Sequence, residues 1–86
     1  MAPRIRMYST ATCPYCIRAE RLLMARGVAS IDKLRVDLDP RLRDEMIKTT
    51  GRRTVPQIFI DELHVGGFED LSALDREGKL PELLQT

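Results

Sequence analysis

Apolar and polar positions alternate from near the start of the chain. Ile5 and Met7, with Ser9, fall on one side of the alternation and Arg6 and Tyr8 on the other, the two-residue period of a short strand. Ser9-Thr10-Ala11-Thr12 reads as loop. The period then lengthens: Ala19, Leu22 and Leu23 recur at helical spacing, with Arg18, Arg21 and Arg26 outside that stripe. This predicts a helix over about 14–26, with Pro14 in the first turn, where proline is tolerated, and Gly27 as its stop. Leu34, Val36 and Leu38 alternate weakly and predict a second strand over 31–38. Asp39-Pro40 is an N-cap followed by a proline at the first helical position. It opens a helix to about Thr50, stopped by Gly51, with Leu42, Met46 and Ile47 as the buried face. Residues 55–60, Val-Pro-Gln-Ile-Phe-Ile, read as a third strand, Asp61-Glu62 as a tight turn, and Leu63-His64-Val65 as a fourth strand completing a hairpin. Gly66-Gly67 breaks the chain before a helix over about 69–77, with Leu71 and Leu74 inward, and a short helix around 80–84.

The order β-α-β, α, β-β-α implies a parallel strand pair with a right-handed crossover, then an antiparallel hairpin at an edge. The expected architecture is α/β, a small four-stranded mixed sheet with helices on both faces. At 86 residues the chain is one domain, 1–86. Hydrophobic residues make up 43% and charged residues 31%, an ordinary globular balance. No apolar run exceeds four residues (Leu22 to Ala25), far short of the roughly 20 of a membrane span. The N-terminal residues show no apolar stretch behind their charges, so no secretory signal is expected.

A net charge of +1 argues against a general nucleic-acid binder. The charge is uneven: residues 1–43 hold nine Lys or Arg against four Asp or Glu, and residues 44–86 five against nine. Two readings follow, ordinary solvated faces or a mildly positive rim suited to an anionic substrate.

The chemistry concentrates in Cys13-Pro14-Tyr15-Cys16, which holds both cysteines. A structural disulfide there would close the shortest kind of loop and constrain the unfolded chain least. Structural zinc wants four ligands, and one cysteine pair with the single His64 does not complete a set of sulfur and nitrogen donors. What remains is a redox pair that opens and closes in a reducing compartment, and a cytoplasmic setting is expected. Cys13 falls just before the first helical turn, where N–H groups have no partner within the helix. A thiolate there would accept from the N–H groups of Tyr15 and Cys16 at the positive end of the helix dipole. Lowering a thiol pKa by about 3 units takes roughly 4 kcal/mol, and a dipole supplies about 0.3–2 kcal/mol, so direct N–H bonds or a nearby cation must add the rest. Cys13 is therefore the expected nucleophile, exposed for attack, and the more buried Cys16 the resolving thiol.

With these residues in view the chain resembles the glutaredoxins of the dithiol class over nearly its whole length. The resemblance rests on Cys13-Pro14-Tyr15-Cys16 after a short strand, Thr54-Val55-Pro56 at the third strand, and Gly66-Gly67-Phe68-Glu69-Asp70 before the last long helix. It implies a thioredoxin-like fold and glutathione-dependent thiol–disulfide exchange. It further implies a groove for glutathione as co-substrate, with Tyr15 beside Cys13, Thr54 and Val55 on the tripeptide backbone, and Pro56 in the cis form. Gly67, Phe68, Glu69 and Asp70 would receive the γ-glutamyl end. The family's frequent lysine three residues before the first cysteine is Thr10 here, and Arg52 or Arg53 could substitute, with Arg53 taken as the groove residue. Position 68 is Phe where a cysteine is frequent.

The implied activity is reduction of protein disulfides and protein–glutathione mixed disulfides, by a monomer that needs no metal, membrane or nucleic acid. Two alternatives stand beside it. One is a redoxin served by a flavoprotein reductase. The other is an iron–sulfur cluster carrier, which Pro14 disfavours by analogy. His64 is expected on a strand surface with no metal role.

Overall fold

A computed structural model describes residues 2–85. The elements run β1 (Ile5–Ser9), α1 (Pro14–Ala25), β2 (Asp32–Arg35), α2 (Pro40–Thr50), β3 (Gln57–Ile60), β4 (Leu63–Gly66), α3 (Phe68–Arg76) and α4 (Lys79–Leu84). The sheet order is β2-β1-β3-β4. β1 pairs parallel with β2, while β1–β3 and β3–β4 are antiparallel. The sheet is the four-stranded mixed sheet that the element order implies, and the fold is the thioredoxin-like one that the resemblance implies.

The central strands β1 and β3 are covered on both faces. On one face Ile5, Met7, Ile58 and Ile60 pack with Ala19 and Leu23 of α1, Leu71 of α3 and Leu80 of α4. On the other, Tyr8 and Phe59 pack with Val36 and with Met46 of α2. This corrects the placement of Tyr8, which the alternation with Arg6 assigned to a polar side. A central strand flanked by helices on both faces buries both sets of side chains. The Tyr8 and Phe59 rings meet edge to face with centroids 6.1 Å apart.

Two strand limits also differ. β2 stops at Arg35, and the next residues turn, so Val36 is buried but Leu38 is 72% exposed. β3 starts at Gln57, not Val55, because the Val55–Pro56 peptide is cis and proline has no N–H for a ladder. Asp39 caps α2 by accepting from the Arg41 N–H at 2.9 Å, with Pro40 following. Gly51 closes the helix in the left-handed region at φ 71°. α3 begins one residue earlier than expected, at Phe68, with Gly67 as its cap residue.

α1 and α3 lie side by side in the same sense. Tyr15 in the first turn of α1 faces Phe68 in the first turn of α3, centroids 6.1 Å apart. At the far end the Arg26 guanidinium grips Asp75 with two hydrogen bonds of 2.6 and 2.8 Å. Among the described residues no helix is long and apolar enough to cross a membrane.

Candidate active site

Cys13 is the N-cap of α1, with extended backbone (φ −135°, ψ 100°), and Pro14 occupies the first helical position. Its Sγ accepts the Cys16 N–H at 3.1 Å. The expected second donor, the Tyr15 N–H, makes no such bond. Proline fixes the entry of the helix, so the cap places the sulfur at the positive end of the dipole. Cys13 and Cys16 are joined by a disulfide, Cα atoms 5.2 Å apart, one of the two states of a pair that opens and closes.

Burial separates the two sulfurs less than expected. Cys13 is 8% exposed and Cys16 5%, so Cys13 is not an open thiol in this oxidised form. Its neighbours are the Val55 carbonyl oxygen, 3.8 Å from Sγ, and a groove beside the helix start. That groove, about 270 Å³, is lined by Tyr15, Arg52, Thr54, Val55, Pro56, Gln57, Gly67, Phe68, Glu69 and Asp70. The fold thus gathers three segments far apart in sequence, the start of α1, the turn before β3 and the start of α3. Tyr15 and Phe68 form its aromatic side, and the Arg18 guanidinium lies 5.3 Å from the Tyr15 centroid.

At the far wall Asp70 does two things with one oxygen. Its Oδ2 accepts the Gly67 N–H at 3.0 Å, closing the first turn of α3, and the Arg52 guanidinium at 3.1 Å. The Gly67 N–H, then Arg52, hold its carboxyl below the ordinary carboxylate range. Asp70 is therefore a third-position cap, not the N-cap residue. Gly66 makes this approach possible. Its φ of 114° suits only glycine, and a Cβ there would run into the Asp70 carboxylate.

Arg53, the basic residue expected at the groove, lies elsewhere. It lines a hollow along α2 with Arg41, Asp44, Glu45 and Lys48, while Arg52 takes the groove position. The Arg52 guanidinium is drawn to the groove by its hydrogen bond to Asp70. Thr10 lines a different hollow with Cys16, Lys33 and Arg35. Both of those cations are paired, Lys33 with Glu20 and Arg35 with Asp37. Arg4, Arg26 and Arg41 are ion-paired too, but the partners of all these cations except Arg26 are the acids of residues 1–43 themselves, so most of the N-terminal cationic excess is not taken up by ion pairs.

Gln57 is the groove residue that sequence reasoning passed over. It is 1% exposed, and its amide donates to the Thr54 carbonyl at 3.0 Å. A polar side chain inside an apolar strand was the available signal, since a buried amide requires partners. His64 is half-buried on β4, its Nε2 2.8 Å from Gln57 Oε1.

The glutaredoxin family model matches residues 5–65. Glutaredoxin from Neisseria meningitidis is 54% identical over 80 residues, covering 93% of this chain and 94% of that protein. Glutaredoxin 3 of Escherichia coli K12 is 52% identical over 81 residues, covering 94% and 96%. The solution structure of a dithiolic glutaredoxin from Trypanosoma brucei brucei superposes with a TM-score of 0.86 at 44% identity, over 96% of this chain and 88% of that one. The crystal structure of a buckwheat glutaredoxin–glutathione complex gives 0.86 at 29% identity, over 95% and 76%.

Proposed function

The chain belongs to the glutaredoxin family of thiol–disulfide oxidoreductases, and from that premise we propose that glutathione is its co-substrate, bound in the groove beside Cys13. The observation that carries this reading is one groove lined by the Thr54-Val55-Pro56 turn and the Asp70-capped start of α3, with the Cys13 sulfur 3.8 Å from the carbonyl oxygen of its Val55.

Each part of the tripeptide has a chemical counterpart there. The peptide groups of Val55 pair with the backbone of glutathione as an added strand would. Thr54 and Pro56 hold that turn, and Tyr15 lines the approach to the sulfur. The first turn of α3 presents the N–H groups of Phe68 and Glu69 to the γ-glutamyl carboxylate, while the Gly67 N–H is taken by Asp70 and Gly67 lines the groove at the helix entry. Asp70 takes the γ-glutamyl ammonium, and its second oxygen, Oδ1, remains for that purpose. Arg52, in place of Arg53, offers a guanidinium to a carboxylate of the tripeptide.

The reaction is two thiol–disulfide exchanges. The Cys13 thiolate attacks the glutathione sulfur of a protein–glutathione mixed disulfide. The protein leaves as its thiolate, and Cys13 now carries glutathione. A second glutathione thiolate attacks that sulfur, releasing oxidised glutathione and restoring Cys13. With a protein disulfide as substrate, Cys13 first forms a mixed disulfide with the protein. The Cys16 thiolate then displaces the protein, leaving the Cys13–Cys16 disulfide that glutathione reopens. The Cys16 N–H on the Cys13 sulfur favours its ionised form in each step.

Mass spectrometry of the reduced protein after exposure to oxidised glutathione tests this. Cys16→Ser traps the adduct, and one glutathione on Cys13 is expected. Cys13→Ser takes none and has no activity, while Cys16→Ser keeps deglutathionylation. No adduct on Cys16→Ser, or activity surviving in Cys13→Ser, overturns the reading.

A further inference from the structure

We propose that His64 is a positioning residue for this reaction: through Gln57 it fixes the peptide plane that presents the Val55 N–H to glutathione. This deepens the glutathione reading above and rests on it.

His64 is not among the residues that line the groove. It reaches the groove through one intermediary. The Gln57 side-chain amide donates to the Thr54 carbonyl at 3.0 Å, so its Oε1 is the acceptor that faces His64 Nε2 at 2.8 Å. The shared hydrogen therefore sits on Nε2. Burial, with Arg52 next, lowers the imidazole pKa and so favours the neutral ring, whose single N–H is then committed to this bond.

The Thr54–Val55 peptide is planar and trans, so its C=O and N–H point in opposite directions. Holding the Thr54 carbonyl toward Gln57 turns the Val55 N–H the other way. That N–H has no hydrogen-bond partner among the described residues. Gln57 is almost wholly buried, so its amide needs both bonds to keep one orientation. The His64 ring is held in turn by stacking on Phe59, centroids 4.9 Å apart and planes at 28°. Arg6 flanks Phe59 on the neighbouring strand.

The test uses two substitutions. His64→Phe keeps a stacked ring but removes the donor. His64→Gln restores an N–H at similar reach. Steady-state kinetics with glutathione should show KM raised about tenfold in His64→Phe, equivalent to ~1.4 kcal/mol. The value of kcat should stay within about twofold, and His64→Gln should return KM to within about threefold of the parent. Unchanged KM in His64→Phe overturns the proposal. So does an equal KM defect in both variants, or a fall in kcat and Tm with KM unmoved, which would mark a purely structural role. Imidazole nitrogen NMR on the unmodified protein gives a check independent of folding in the variants: hydrogen on Nε2 is expected, and hydrogen on Nδ1 overturns the relay. Failure of the underlying reading is visible separately, as a parent protein whose turnover does not saturate with glutathione.

Discussion

The Asp70 carboxylate caps the first turn of α3 and, in the reading proposed above, also binds the γ-glutamyl ammonium, and substitution can divide the two tasks. Asp70→Asn keeps an oxygen for the Gly67 N–H but carries no charge; Asp70→Ala removes both. The Arg52–Asp70 pair is half exposed on each side. Solvent-screened pairs of that kind contribute about 0.2–1 kcal/mol, which bounds what Asp70→Asn loses in stability. Asp70→Ala loses in addition a helix-cap hydrogen bond, worth about 0.5–2 kcal/mol. In a domain of this size 1 kcal/mol moves Tm by about 4–8 °C. Calorimetry should thus place Asp70→Asn a few degrees below the parent and Asp70→Ala clearly lower. Under the proposed glutathione reading, binding should follow a different pattern, because the ammonium would need the charge. Losing a charged hydrogen bond costs about 1.5–3 kcal/mol, or about 10- to 150-fold in affinity. KM for a glutathionylated peptide should rise by that order in both variants alike. Parent-like KM in Asp70→Asn would refute the ammonium assignment, and identical Tm in the two variants would refute the capping argument.

Other expectations follow from the same geometry. Arg52→Ala should raise KM for glutathione severalfold and Arg53→Ala should leave it within error, since only Arg52 lines the groove; the reverse result in parallel kinetics would reinstate Arg53. Gly66→Ala forces an L-residue to φ 114° and a Cβ against Asp70, so a urea melt should show a loss of about 1–3 kcal/mol. The Asp37 carboxyl is held down to about 2, chiefly by the Arg35 side chain, against an ordinary 3.8. Its contribution to stability is present above pH 3.8 and fades as the pH falls toward 2. Urea midpoints measured from pH 5 to pH 2.5 should therefore fall less steeply in Asp37→Asn than in the parent.

Legibility in the sequence varied with how local the cause was. Cys13-Pro14 and Asp39-Pro40 each carry a cap and a first-turn proline in adjacent residues, and both helices start where those pairs place them. Leu71 and Leu74, and Leu42, Met46 and Ile47, lie inward as their spacing indicates. Tyr8 and Leu38 did not follow their alternation. The inner or outer side of a strand depends on what covers each face, and that is a property of the assembled sheet. Val55 and Pro56 have strand-like composition but precede the ladder, because pairing is decided by backbone geometry. Arg52 and Arg53 are chemically identical neighbours, so nothing in the chain distinguishes which one meets Asp70. Gln57 and His64 lie on adjacent paired strands, a proximity that only strand pairing creates.

The parallel arrangement of α1 and α3 resembles a pair of tongs. The handles are bound by Arg26 and Asp75, and the jaws, Tyr15 and Phe68, meet beside the sulfur. Both helices turn their electropositive tips toward the jaws, so the cleft attracts carboxylates without a lysine at position 10. Between handles and jaws, Ala19 and Leu23 of one arm share the apolar core with Leu71 of the other, so the tongs are joined along their length as well as at the far end.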